Sequence, residues 1–296
     1  MSKTWFITGA SAGLGRLLTE RLLARGDRVV ATLRREGALD DLRSRHGGAL
    51  RVLKLDVTDT QAIRAGVDQA FQAMGRIDVV VSNAAYGLFG AAEELTDAQI
   101  ARQIATNLAG SIQLIRAALP HLRGQGGGRI VQVSSEGGQI AYPNFSLYHA
   151  TKWGIEGFVE SVAQEVAPFG IDFLIVEPGP THTNFGANLD QAEPMACYAH
   201  TPSGAVRRAI ATGDFAAFGD AAKTVDAMIP VMDAPNPPLR LALGQSAYES
   251  IRKALAQRLD AVQAQRDVAL SVMPQGGQRV RTGWREASHS LPDRGA

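Results

Sequence analysis

The sequence predicts a doubly wound α/β domain built around a parallel sheet, and three observations carry that expectation. Short β-branched runs alternate with longer helical patterns through the first two-thirds of the chain. Several of the runs, such as Val79-Val80-Val81 and Leu174-Ile175-Val176, are continuously apolar, as strands covered on both faces are. A glycine-rich turn joins the first strand pattern to the first helix pattern. Strict β–α alternation demands right-handed crossovers and helices on both faces of the sheet.

The elements run in order along the chain. Strands are predicted at residues 4–8, 28–32, 51–55, 78–82, 129–134 and 171–177, with a last one at 239–243. The first helix, 14–25, has apolar residues at 14, 17, 18 and 22 and stops at Gly26, a C-cap residue. Helices at 60–74, 97–122 and 147–168 come next, the last closing at Pro168 and Gly170. Residues 181–202 lack a clean period and hold Phe185, Met195 and Tyr198 among small and polar residues, which predicts an ordered loop or lid. Two helical stretches and a final helix at 248–273 extend the domain. Residues 1–273 are therefore expected to form one domain with a C-terminal helical extension. From Pro274 to the end the Gly-, Arg- and Ser-rich chain has little to bury and predicts a flexible tail at 274–296.

Composition excludes several function classes. The 296 residues are 45% apolar and 20% charged, and 30 Lys and Arg against 29 Asp and Glu leave a net charge of +1. No overall basic field exists to attract nucleic acid or an anionic membrane. A single cysteine, Cys197, excludes an intrachain disulfide and a multi-cysteine metal site. Cys197 is expected to pack inside the lid. The apolar run Trp5-Phe6-Ile7 ends at Thr8-Gly9, too short for a secretion signal, and no stretch approaches the ~20 apolar residues of a membrane span. The six histidines show no ligand spacing, so no metal is expected. The expected setting is the cytoplasm.

Four motifs carry chemistry. In Thr8-Gly9-Ala10-Ser11-Ala12-Gly13-Leu14-Gly15, glycines permit a tight turn and close approach of a pyrophosphate, and the helix N-terminus behind them offers N–H groups and a positive dipole end. Its G-x-x-x-G-x-G spacing departs from the commoner G-x-G-x-x-G. The same residues match G-x-S-x-G, the nucleophile elbow of hydrolases. That elbow sits deep in a sheet with an acid and a histidine after it, whereas this one comes after the first strand and carries Gly15 besides. The second strand runs into Arg34-Arg35, where an NAD site would place an acid on the ribose 2′-hydroxyl. Two arginines suit a 2′-phosphate instead, which favours NADP(H) over NAD(H). Finally, Tyr148-His149-Ala150-Thr151-Lys152 sets a phenol and an ammonium on one helix face at i and i+4. A cation there is expected to draw the phenol down from about 10 to about 7, roughly 4 kcal/mol, making Tyr148 a general acid/base.

Taken together, Thr8 to Gly15, Leu55-Asp56-Val57, Ser82-Asn83-Ala84-Ala85, Asn107, Val133-Ser134-Ser135, Tyr148 to Lys152 and Pro178-Gly179 resemble, in order and spacing, the short-chain dehydrogenase/reductase family. The resemblance covers roughly residues 3–185 and implies a single Rossmann-fold domain that moves hydride between NAD(P)(H) and a carbonyl or alcohol. It further implies that Tyr148 donates the proton, that Lys152 assists it and holds the nicotinamide ribose, and that Ser135 orients the carbonyl, with Ser134 as second choice. Asn107 would hold a water of the proton relay. Gly9, Ser11, Gly13, Leu14, Gly15, Arg34, Arg35, Asp56, Val57, Asn83, Ala84, Pro178 and Gly179 would bind the cofactor, joined by Thr183 or its rival Thr181. Ser82 and Ala85 replace the family's usual asparagine and glycine, both with small residues.

The expected function is thus an NADP(H)-dependent carbonyl reductase or alcohol dehydrogenase. A non-enzymatic NADP(H)-binding sensor on the same fold is the alternative, since fold does not dictate function. Tyr86, Leu88, Phe89, Glu136, Tyr142, Phe185 and the lid are the expected pocket, which suits a moderately bulky, largely apolar carbonyl compound. Family resemblance implies a homo-oligomer, and the C-terminal extension favours a dimer.

Overall fold

The computed structural model describes residues 2–213 and 218–273, so the expected tail at 274–296 lies outside the described residues. By its contacts the chain divides into Met1–Ala254 and Leu255–Ala296. Among the described residues, seven strands form one parallel sheet in the order β3-β2-β1-β4-β6-β7-β9. These are β1 (Thr4–Ile7), β2 (Arg28–Leu33), β3 (Leu50–Lys54), β4 (Val79–Ser82), β6 (Gly128–Val133), β7 (Ile171–Pro178) and β9 (Arg240–Leu243). Every pairing is parallel, from Phe6 beside Val30 and Val80 to Val176 beside Leu241. The expected doubly wound fold is present.

Alternate side chains of each strand enter two cores. On one face Phe6, Val30, Val80, Ile130, Phe173 and Ile175 meet α3 (Thr60–Met74), α5 (Gly110–Gly124) and α6 (Ser146–Val166) through Val67, Phe71, Leu114, Ala118, Ile155 and Val159. On the other, Trp5, Ile7, Val29, Val81, Val131 and Leu174 meet α1 (Gly13–Ala24) and α8 (Ala221–Asp233) through Leu18, Leu22, Val225 and Met228. Continuous apolar strands are needed because both faces are covered. Ile130 lies on β6, between β4 and β7, with 0% exposure. Ile130→Ala is expected to cost about 2–5 kcal/mol of stability, read from the urea midpoint at unchanged slope; a cost under about 1 kcal/mol would mean that the site collapses around the deletion.

Local sequence explains where elements begin and end. Asp59 caps α3 by accepting from the N–H groups of Gln61 and Ala62 at 2.9 and 3.0 Å. Thr96 and Gln99 form a reciprocal capping box on α4 (Asp97–Ile104). The single helix expected at 97–122 is broken by a π turn, Ala105–Ala109, between α4 and α5. Two contacts hold this wider turn. Asn107 reaches out to the Tyr86 backbone, and Gly110 sits so close to the Val57 carbonyl that a Cβ would lie 2.5 Å from it.

Other elements were not expected. Helix α2 (Asp40–His46) opens on two aspartates and closes on Arg43, Arg45 and His46, in keeping with its dipole. The lid contains β8 (Asp190–Gln191), which pairs in parallel with β5 (Leu88–Phe89), and it leads into α7 (Pro202–Thr212), the first of the two helical stretches that were expected there. The helix expected at 248–273 is two helices, α9 (Gln245–Ala264) and α10 (Arg266–Ser271). Beyond Leu255 these helices expose Leu259, Val262, Val268 and Leu270. Cys197, expected to be packed, is exposed, because its short turn, Ala196–Tyr198, buries none of its residues.

Candidate active site

Strand order reverses between β3 and β4, on either side of β1, and the crevice at such a switch lies off the carboxyl ends of the strands. The turn after β1 enters this crevice with Gly9 at φ +68° and Gly13 at φ +57°, values that favour glycine. A Cβ on Gly9 would lie 2.8 Å from the Ala84 Cα, and one on Gly15 would lie 2.5 Å from Asn83 Nδ2 and the Gly9 oxygen. The turn is therefore pressed onto Asn83-Ala84 after β4. Asn83 Nδ2 donates to the carbonyls of Thr8 and Gly9 at 2.9 and 3.1 Å, and the Thr8 hydroxyl accepts from the N–H groups of Asn83 and Ala84. Helix α1 begins behind the turn with no acidic residue in its first turn and no side-chain cap on Ala12. Its N–H groups and positive end suit an anion.

Arg34 and Arg35 leave the end of β2 exposed to solvent. Asp56 comes after β3 and accepts from the Thr58 N–H and hydroxyl at 2.9 and 2.8 Å; the N–H bond chiefly holds its carboxyl below the usual range, against partial burial, and Arg34 adds to it. Val57 beside it is buried. Pro178 ends β7, and the Gly179 N–H donates to Leu243 of β9 at 2.9 Å. The two rival threonines differ. Thr181 turns back to its own loop, its hydroxyl donating to the Gly179 carbonyl at 2.9 Å, whereas the Thr183 side chain faces Gly13 across the crevice. Ser11 is exposed and Leu14 partly buried at the same turn.

Tyr148 lies near the start of α6 with 7% exposure. Its ring packs with Phe89 and Phe145, flanked by Tyr142, Leu189, Val206 and Ile210, and Phe185 meets it edge-on at 5.6 Å. Of the expected pocket residues, Phe89, Tyr142 and Phe185 thus converge on the phenol. Leu88 does not; it points into a separate cluster with Leu95 and Ala192. Tyr86 lies under the Arg102 guanidinium at 5.7 Å. Glu136 turns to α9, where the hydroxyls of Ser246 and Ser250 donate to it at 2.8 and 3.2 Å.

Ser135 and Ser134 now separate. The Ser135 hydroxyl accepts from the Gly137 N–H at 3.1 Å, and its side chain acts on the Tyr148 phenol, drawing it down. Ser134 turns away to Glu156. Lys152 Nζ donates to the Val133 carbonyl at 3.0 Å and stands 5.6 Å from the centre of the Tyr148 ring. The phenol is not activated as the i, i+4 spacing suggested. Burial pushes Tyr148 up to about 12 against the Ser135 hydrogen bond, with Glu136 and Glu156 adding to the rise. Burial also draws Lys152 down to about 8, opposed by Glu156. Desolvation of both groups outweighs the contacts that oppose it, Ser135 at the phenol and Glu156 at the ammonium, which spacing alone could not reveal. Asn107, 1% exposed, accepts from the Tyr86 N–H at 3.1 Å and donates to the Tyr86 carbonyl at 2.8 Å, so its side chain pins the β4–β5 connection.

Sequence reasoning missed two buried acids. Glu94, its side chain wholly buried, accepts from the N–H groups of Ala91 and Met195 and from Arg207 of α7 at 2.5 Å, fastening the lid to the body. Glu156, 1% exposed, gathers Ser134, Gln139 and Arg240. The usable signal for Glu156 was its place at i+8 from Tyr148 and i+4 from Lys152, on the same helix face.

The family model described as short chain dehydrogenase matches residues 3–194. The chain belongs to the short chain dehydrogenase family. An oxidoreductase of Botryotinia fuckeliana, BOA17, is 37% identical over 256 residues, covering 86% of this chain and 93% of its own. The 3-ketodihydrosphingosine reductase of Bacteroides thetaiotaomicron is 36% identical, covering 63% of this chain and 67% of its own. A solved short-chain dehydrogenase from Streptomyces avermitilis superposes with a TM-score of 0.85 at 37% identity, over 92% of this chain and 98% of that one. More distant structures of the fold, 22% and 21% identical, hold NADP and NAD. The short chain dehydrogenase described here is accordingly an oxidoreductase.

Proposed function

We propose that this short chain dehydrogenase moves hydride between NADP(H) and a bulky, apolar ketone or the matching secondary alcohol. The observation that carries the reading is the buried Tyr148 phenol, set among Phe89, Phe145, Phe185, Leu189, Val206 and Ile210. Such a chamber favours an apolar carbonyl compound over a small polyanion. A relative named for reducing 3-ketodihydrosphingosine accords with that class.

The turn suits the cofactor's pyrophosphate, since helix α1 behind it begins with no acidic residue in its first turn and no side-chain cap on Ala12, leaving its N–H groups to an anion. Gly9, Ser11, Gly13, Leu14 and Gly15 would hold the pyrophosphate, and Arg34 and Arg35 the 2′-phosphate. Asp56, Val57, Asn83 and Ala84 would flank the adenosine. Pro178, Gly179 and Thr183 would hold the nicotinamide end; Thr183 is preferred to Thr181, whose hydroxyl is spent on Gly179. The bound cofactor supplies or accepts the hydride. Tyr148 passes its hydroxyl proton to the carbonyl oxygen, and Ser135 orients that oxygen with its own hydroxyl. Lys152 supplies positive charge beside the phenol, and Asn107 keeps the wall at Tyr86 in place. The setting proposed is a homodimer in the cytoplasm; no described helix is long and apolar enough to cross a membrane.

Initial rates of NADPH and NADH oxidation with aryl and long-chain alkyl ketones test the reading. Faster consumption of NADPH with at least one hydrophobic ketone is the expected result. Silence with both cofactors, together with tight NADPH binding, would overturn the catalytic assignment.

A further inference from the structure

The last strand, the long helix and the turn after Ser135 meet at one buried carboxylate. One oxygen of Glu156 bonds the Ser134 hydroxyl; the other accepts from Gln139 Nε2 at 2.5 Å and Arg240 Nη1 at 2.6 Å. Arg240 also pairs with Glu177 of β7 and, at 2.9 Å, with Glu160 of α6. One helical turn earlier, Lys152 holds the Val133 carbonyl. Successive residues at the end of β6, Val133 and Ser134, are thus fastened to α6 by a cation and an anion, immediately before Ser135. The turn is shaped around this arrangement, because a Cβ on Gly138 would fall on the Glu156 carboxylate.

We infer that Glu156 is a positioning residue for catalysis: through Ser134 it sets the Ser135 hydroxyl against Tyr148, and its charge faces Lys152 along the helix. This rests on the reading of Ser135, Tyr148 and Lys152 given above. A group serving only to join strands would not need to stand on the helix face that carries the phenol and the ammonium. The charges around it come from every neighbouring element: Lys152 and Glu160 on α6, Glu177 on β7 and Arg240 on β9, with Glu136 acting on Tyr148 from the turn. Burial, then Glu156, raises Glu177 to about 7 against the pull of Arg240. Without the Glu156 charge Glu177 ionises more readily and restores part of the negative charge, so a full test also neutralises Glu177.

The experiment compares wild type, Glu156→Gln, Ser134→Ala, their double variant and Glu156→Gln/Glu177→Gln. It uses NADPH and the fastest ketone of the panel, with NADPH affinity measured separately. Glu156→Gln is expected to lower kcat about tenfold, one lost charged hydrogen bond's worth, with KM and NADPH affinity within about twofold. Reduction needs Lys152 protonated, so the alkaline fall in kcat should move to lower pH by about one unit, and further when Glu177 is neutral as well. Ser134→Ala should lower kcat about threefold, and the double variant should match Glu156→Gln alone, because both act through one contact. An unmoved alkaline limb, additive losses or wild-type kcat would each overturn the inference. If Glu156→Gln does not fold, Ser134→Ala decides: lower kcat at constant KM supports it, and wild-type kcat refutes it. Wild-type kinetics in these variants beside an inactive Tyr148→Phe defeats this inference alone, whereas an active Tyr148→Phe defeats the reading beneath it.

Discussion

Tyr148→Phe is expected to slow ketone reduction by about a thousandfold, within the range that a positioned acid contributes, while NADPH affinity changes by no more than about twofold. Phenylalanine keeps the ring that packs with Phe89, Phe145 and Phe185, so the chamber should hold its shape and only the proton is lost. Single-turnover rates and a cofactor titration on the same preparation separate the two effects. Turnover within tenfold of wild type would show that another group delivers the proton. In wild type the pH dependence comes from burial. Reduction requires Lys152 charged and Tyr148 protonated, and Lys152 at about 8 titrates well before Tyr148 at about 12. The reduction rate should therefore fall as pH rises through about 8 with a single ionisation.

Arg34→Asp with Arg35→Ala is expected to weaken NADPH by about a hundredfold or more, since two charge-assisted contacts of about 1.5–3 kcal/mol each are at stake, and to leave NADH within about threefold or improve it. Both arginines are exposed at the end of β2, so the double change should leave the melting temperature within a few degrees. Fluorescence titration with each cofactor measures the ratio. Equal losses for NADPH and NADH would mean that the arginines do not meet the 2′-phosphate.

Much of the fold was legible because its physics is local or periodic. Strands buried on both faces announce themselves as unbroken apolar runs, and the glycines of the first turn are needed for reasons visible in spacing. The missed pieces depend on contacts between distant residues. The π turn arises because Asn107 bonds Tyr86, a pairing across 21 positions. The two-residue strands β5 and β8 bring together Leu88 and Asp190, and two residues are too few to show alternation. At the site, spacing singled out Tyr148 and Lys152, and the family resemblance Ser135, but spacing misjudged the phenol, because desolvation depends on the groups that cover a side chain in space rather than on its neighbours along the chain. Glu156 stayed hidden for a similar reason. A glutamate on a helix reads as solvated until the strands behind it are in place.

The snug fit of Gly137 and Gly138 against His149 and Glu156 gives this site a direction in time. A side chain on either glycine requires its partner on α6 to move or shrink, whereas either partner can shrink while the glycine stays. Single substitutions at 149 or 156 therefore ease those at 137 or 138. In a lineage diverging from this sequence, the easier order is for the helix to change first and the turn to inherit its freedom afterwards.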